Sequence, residues 1–204
     1  HNVELEESHG MDELKKYRID KQSVTELKEM QKRLGITFIF VTHDQTEAMT
    51  MSTRICVMAN GHIQQLGTPN EIYDFPVNRF VSQFVGESNI FTGNYHNENG
   101  KYFVTYKDAK LDFIEYPSFE NGERCDIVIR PEDFEIIPLE KASLTATVTT
   151  CVFKGESYEI CADKDGKEIV IHKYLKIAPG TKVGLACDPS NIHLMKVTED
   201  EKAL

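Results

Sequence analysis

The side chains of this 204-residue chain best suited to chemistry are seven histidines and five cysteines. The histidines stand at positions 1, 9, 43, 62, 96, 172 and 193. No two share the His-x3-His spacing of a helical metal pair, and no cysteine cluster accompanies them, so local spacing predicts no metal. Cys56, Cys125, Cys151, Cys161 and Cys187 are odd in number and form no CxxC pair. They read as reduced thiols acting as small core residues, not as a disulfide framework. There is no GxSxG nucleophile elbow. There is also no GxxxxGK[ST] loop, whose backbone amides and lysine would hold ATP phosphates.

His43 is set apart by its surroundings. Ile36-Thr37-Phe38-Ile39-Phe40-Val41 is apolar at five of six positions. That pattern predicts a strand buried on both faces, as in a parallel sheet. Thr42-His43-Asp44 follows, and Asp44 with Glu47 signals a helix start. Ligands of open α/β sheets sit at the carboxyl ends of strands. A histidine there can bond a phosphate or an attacking water, or simply bond the local backbone at a strand–helix junction. Spacing alone leaves both readings open.

The flanking elements have clear punctuation. Ser23 with Glu26 predicts a capped helix carrying Val24, Leu27, Met30 and Leu34, stopped by Gly35. Arg54 to Met58 and His62 to Leu66 predict a hairpin turned at Asn60-Gly61. Thr68, Pro69 and Glu71 form a capping box opening a short helix that ends before Pro76. Asn78 caps another, with Phe80, Val81, Phe84 and Val85, closed by Gly86. From about Asn89 helical periodicity gives way to short β-prone runs separated by turns, including Asn99-Gly100, Asp165-Gly166 and Pro179-Gly180. The runs are Tyr102 to Tyr106, Cys125 to Ile129, Leu144 to Phe153, Ser157 to Ala162, Glu168 to His172, Lys182 to Cys187 and Ile192 to Val197. Strands at this spacing predict a small all-β barrel or sandwich.

A net charge of −10 argues against nucleic acid as a partner. No apolar run approaches the ~18–20 residues of a spanning helix. The first residues have neither the basic nor the apolar region of a signal peptide, so no direct membrane insertion is expected.

The ordered motifs carry a resemblance. Gly35 to Gln45, Glu47-Ala48, Ile55 to Met58 with Gly61, Gln65 to Pro69, Glu71 to Tyr73 and Pro76 together resemble the distal part of an ABC-importer ATPase subunit. Phe80-Val81 with Phe84 to Ile90 narrows this to the branch serving polyamines, spermidine and putrescine. Val128-Ile129-Arg130-Pro131-Glu132-Asp133 resembles the entry to that branch's appended TOBE-like regulatory barrel.

The implied fold is an α/β tail of a P-loop-type nucleotide-binding domain, residues 23–88, followed by a small all-β barrel of OB/TOBE type, residues 89–197. Residues 1–22 are expected to be either a poorly packed leader or an expression remnant, since His9 to Leu14 resembles the C-terminal tail of green fluorescent protein. Residues 198–204 are expected to be a frayed tail.

The resemblance implies that His43 is the switch histidine contacting the γ-phosphate of ATP. It implies ATP and magnesium as cofactors of the parent subunit, a homodimer, transporter membrane subunits as partners, and a place on the cytoplasmic face of the cell membrane. The phosphate loop, the signature motif and the magnesium-binding strand end are not among these 204 residues, so the chain alone is expected to hold no cofactor and to be inactive. Ile36 to Val41, too apolar for an open sheet edge, is expected to pair with another chain. A second reading makes the acidic barrel a sensor or dimerisation module, with Glu132, Asp133, Glu135, Glu156 and Glu159 as candidates for a cationic polyamine.

Overall fold

The computed structural model describes residues 21–116 and 118–197. Of the expected leader, residues 1–20 lie outside the described residues, as do residues 198–204, whereas Lys21 and Gln22 belong to the first helix. The chain divides between His43 and Asp44 into two units.

The first unit contains α1, Lys21–Leu34. Its start places Ser23 inside the helix, where the sequence predicted a cap. Lys32 and Arg33 stand in the last turn, beside the negative end of the helix dipole. Gly35, with φ +62°, donates to Gln31 O and closes the helix as expected. The predicted strand at Ile36 to Val41 is not formed. This stretch has no strand partner among the described residues, and Ile39 is 92% exposed. A strand leaves its N–H and C=O groups unmet unless another strand lies alongside, so apolar content alone does not make one.

The second unit opens with α2, Gln45–Met51, whose cap Asp44 accepts from the N–H groups of Thr46 and Glu47. Strands β1, Ile55–Ala59, and β2, His62–Gly67, form the expected hairpin. Its turn residues Asn60 and Gly61 have φ +50° and +77°, as a type I′ turn requires. Both halves of the Thr68–Glu71 capping box are present at the start of α3, Pro69–Asp74. Asn78 accepts from Val81 N to cap α4, Arg79–Val85. Ile55, Val57, Ile72, Val81 and Val85 make a small apolar core for this helical layer.

The rest is β structure in two five-stranded antiparallel sheets. One sheet comprises β3 (Asn89–Glu98), β4 (Lys101–Tyr106), β5 (Ala109–Phe113), β6 (Arg124–Ile129) and β12 (His193–Lys196), ordered β12-β6-β3-β4-β5. The other comprises β7 (Phe134–Ile137), β8 (Leu144–Phe153), β9 (Tyr158–Lys164), β10 (Lys167–Lys173) and β11 (Lys182–Cys187), ordered β10-β9-β8-β11-β7. Their inner faces share one core in which Phe91, Tyr95, Ile127, Phe134, Ile160 and Ile169 are all buried. Cys125 lies in this core, whereas Cys56, expected inside, is exposed.

Side chains stitch the layers together. Arg79 of α4 grips the fully buried Asp126 of β6 through Nε–Oδ2 and Nη2–Oδ1 contacts of 2.5 and 2.6 Å. Thr92 donates to the same carboxylate. The amide of Asn89 donates to Val170 O and accepts from Val170 N, both at 2.8 Å, and so joins β3 to β10.

At Gly93 two backbones approach closely. A Cβ there would lie 2.0 Å from Thr105 O. Gly93→Ala is therefore expected to cost about 1–3 kcal/mol of stability. A lower urea midpoint with an unchanged slope, followed by fluorescence or circular dichroism, is the check.

Candidate functional site

Two clefts flank Tyr73. The larger, about 520 Å³, is lined by Tyr73, Glu87, Glu132, Ser157, His172 and Lys173, with Tyr174 at its edge. The smaller, about 320 Å³, includes Arg130, Asp133, Asn191 and His193.

Tyr73 is placed by the capped helix α3, and its hydroxyl donates to Glu132 Oε1 at 2.7 Å. Burial, with that neighbouring carboxylate adding to it, pushes the phenol up to about 12. Its ring lies under the Arg130 guanidinium, 4.0 Å from centroid to carbon. Arg130, just beyond β6, is 6% exposed. It donates to the carbonyls of Tyr73, Ser82, Gly86 and Glu87 and to the Ser88 hydroxyl. Burial lowers its pKa from an ordinarily very high value. On the far wall, Lys173 Nζ donates to Glu132 O at 3.0 Å, and His172 N donates to Pro131 O.

Glu159 and His172 are register partners on β9 and β10. His172 Nε2 lies 3.4 Å from Glu87 Oε2 and 4.0 Å from Glu159 Oε2. Lys154 Nζ holds the other oxygen of Glu159 at 3.0 Å.

The acidic residues singled out from sequence do not form one cluster. Glu132 lines the larger cleft, and Glu159 adjoins it through His172. Asp133 faces the smaller cleft and accepts from Asn191 Nδ2 at 3.0 Å. Burial, with Glu132 beside it, raises its pKa above the usual carboxylate value. Glu135 is exposed on β7 opposite Ala186, and Glu156 is exposed between β8 and β9. His43 is exposed, one residue before the α2 cap. Sequence reasoning missed Tyr73, Glu87 and His172 as cleft residues. One of them was legible: counting outward from the two-residue Asp165-Gly166 turn pairs Glu159 with His172.

Residues 127–195 match the family model of the TOBE domain. The chain as a whole is similar to ATP-binding subunits of spermidine/putrescine importers. It is 46% identical over 176 residues to the spermidine/putrescine import ATP-binding protein PotA of Acetivibrio thermocellus, covering 86% of this chain and 49% of that protein. It is 42% identical over 196 residues to the protein of the same name in Clostridium novyi, covering 96% and 54%. In Clostridioides difficile the figures are 44% over 171 residues, covering 84% and 48%. The chain spans about half the length of these curated relatives. Among solved structures, the cytoplasmic molybdate-binding protein ModG aligns with 52% of this chain and 94% of its own, at a TM-score of 0.43 and 16% identity. No helix among the described residues is long and apolar enough to cross a membrane.

The smaller cleft also has a titrating group. His193 Nε2 lies 2.8 Å from Pro76 O. A carbonyl can only accept, so Nε2 carries the proton. Nδ1 is buried with no hydrogen-bond partner among the described residues. Burial lowers the His193 pKa, the Pro76 bond opposes this, and the Arg130 charge lowers it further. Folded His193 thus binds its proton less readily than the unfolded chain. Its contribution is complete above the ordinary histidine value of about 6.5 and is lost as pH falls through the folded value. Asp133, shifted upward, acts with the opposite sign at lower pH, in the carboxylate range. The melting temperature is expected to drop from about pH 7 to about pH 5.5, and His193→Gln, which keeps a donor toward Pro76, is expected to flatten that drop. Thermal unfolding of both proteins across this range is the check.

Proposed function

We propose that this chain serves as the C-terminal region of the ATP-binding subunit of a spermidine/putrescine importer, with its TOBE domain as the regulatory part. The observation that carries this reading is 42–46% identity over 84–96% of the chain to three proteins so named. In the proposed subunit, the phosphate loop, the signature motif and the magnesium-binding strand end are supplied by segments other than these 204 residues. Two subunits close over the nucleotide and drive the membrane subunits from the cytoplasmic face. His43 acts as the switch histidine at the γ-phosphate, on the turn held by the Asp44 cap. The described α2, hairpin, α3 and α4 supply the distal edge of the nucleotide-binding domain.

The 204 residues alone are proposed to be inactive. Phosphoryl transfer depends on positioning and on stabilising a charge-rich transition state, and the sequence contains no phosphate loop to do this. General acid–base help from one imidazole is worth about 10²–10⁴-fold, far less than the reaction needs.

A second reading is favoured by the lining of the larger cleft. Glu132, with Glu159 nearby, sets carboxylates beside the Tyr73 and Tyr174 rings, a surface suited to an organic polycation. Calorimetry should then show spermidine binding that Glu132→Gln weakens, with no binding of molybdate. Heat that is the same for both ligands, or that is unchanged by the substitution, overturns this second reading.

Phosphate release tests the first. The purified chain is expected to show no ATP turnover. In a full-length subunit carrying these residues, His43→Ala should lower kcat by about 100-fold or more while ATP still binds. Steady hydrolysis by the chain that is sensitive to mutation within it overturns the inactivity, and unchanged turnover in the variant removes His43 from the mechanism.

A further inference from the structure

Glu87, Glu159 and His172 come from three separate elements. Glu159 and His172 are register partners on β9 and β10, so they project from the same face of the sheet. Glu87 lies between α4 and β3. One ligating atom from each of the three lies within 4.8 Å of the others.

The separations do not suit direct bonding. Ring N–H bonds to oxygen run about 2.7–3.2 Å. His172 Nε2 is 3.4 Å from Glu87 and 4.0 Å from Glu159, and its ring makes no hydrogen bond among the described residues. Two ligands each about 2.0–2.2 Å from a tetrahedral ion stand roughly 3.3–3.6 Å apart. The His172–Glu87 spacing already has that value, whereas Glu159 Oε2, 4.0 Å from His172 Nε2, would move closer on binding.

The supporting contacts leave the ligating atoms free. Lys154 engages Oε1 of Glu159, while Oε2 faces His172. Arg130 fixes Glu87 through its main-chain carbonyl, and Pro131 O holds the backbone of His172. The adjoining cleft leaves room for water to complete the coordination.

We propose that Glu87, Glu159 and His172 bind a divalent first-row transition ion, joining the segment after α4 to the β9–β10 hairpin. Two carboxylates balance the ion's charge. The imidazole selects zinc-like ions over magnesium and calcium, which prefer all-oxygen ligands. The sequence predicted no metal because Glu87 comes from a distant segment, although the Glu159–His172 pair can be counted out from one turn.

Calorimetry with zinc on the chelator-treated chain tests this. One saturable zinc per chain is expected at this site. His172→Gln and Glu87→Gln should each weaken it at least tenfold, and His62→Gln, at an exposed histidine, should leave it unchanged. Magnesium should not compete. Cobalt substituted at the site should give a spectrum without thiolate charge-transfer bands, which separates it from any cysteine site. Matching melting temperatures of the metal-free variants establish that they fold. Spermidine binding that survives His172→Gln leaves the metal proposal standing and assigns the polycation to other groups. No saturable zinc binding, or affinity indifferent to both His172→Gln and Glu87→Gln, overturns it.

Discussion

The buried Arg130 guanidinium ties the helical layer to the β-sheets. Taking a charge out of water costs several kcal/mol unless its donors are met. Here Nη1 and Nη2 are met, chiefly by main-chain oxygens, including Ser82 O and Gly86 O around the C-terminal end of α4. These are the carbonyls a helix cannot satisfy for itself, at the negative end of its dipole. The same side chain therefore neutralises a helix terminus, supports the Tyr73 ring and fixes the path of residues 86–88 into β3. Gly86 follows from this crowding. A Cβ there would lie 2.9 Å from the Tyr73 ring and 3.5 Å from Arg130 Nη1.

The Arg79–Asp126 pair forms a second tie, at the first residue of α4. Asp126 is completely buried, so its charge depends on the bidentate guanidinium and the Thr92 hydroxyl. Removing one member would strand the other in a medium that does not solvate it. Both ties run from the helical layer to β6 or the residue just after it. β6 is thus the strand to which the helices are referred, and both clefts open beside its C-terminal end, where Arg130 and Glu132 follow.

Local chemistry was the legible part of the sequence. The Asp44, Thr68 and Asn78 caps, the Asn60-Gly61 turn and the Gly35 stop occur where their residue types predict, because each is decided within four or five residues. β8 and β11 have the predicted bounds. β3, β5 and β7 were not separated out. β3 carries Thr92, Gly93, Asn94, His96 and Asn97, and the Thr92 and Asn94 side chains bond Asp126 and Gly122 O, which no local window contains. β5 and β7 are short. Ile36 to Val41 failed in the opposite direction, since its composition suits a strand but the partner that makes one is not in the described chain. The clefts were least legible. Their walls come from α3, the α4–β3 link, the residues after β6, the β9–β10 hairpin and, in the smaller cleft, the segment leading into β12, and only the Glu159–His172 pair is fixed by a single turn.

Asn89 shows how the two sheets meet without a continuous ladder. A carboxamide sets an N–H donor beside an oxygen acceptor in one plane, the two kinds of group that a peptide unit also offers. With both ends engaged by Val170, the side chain works as a rung borrowed from outside the main chain. Aspartate lacks the donor, serine lacks the planar pair, and glutamine is one methylene too long. The seam between the sheets therefore tolerates very little chemical drift at one position, although neither Asn89 nor Val170 takes part in either cleft.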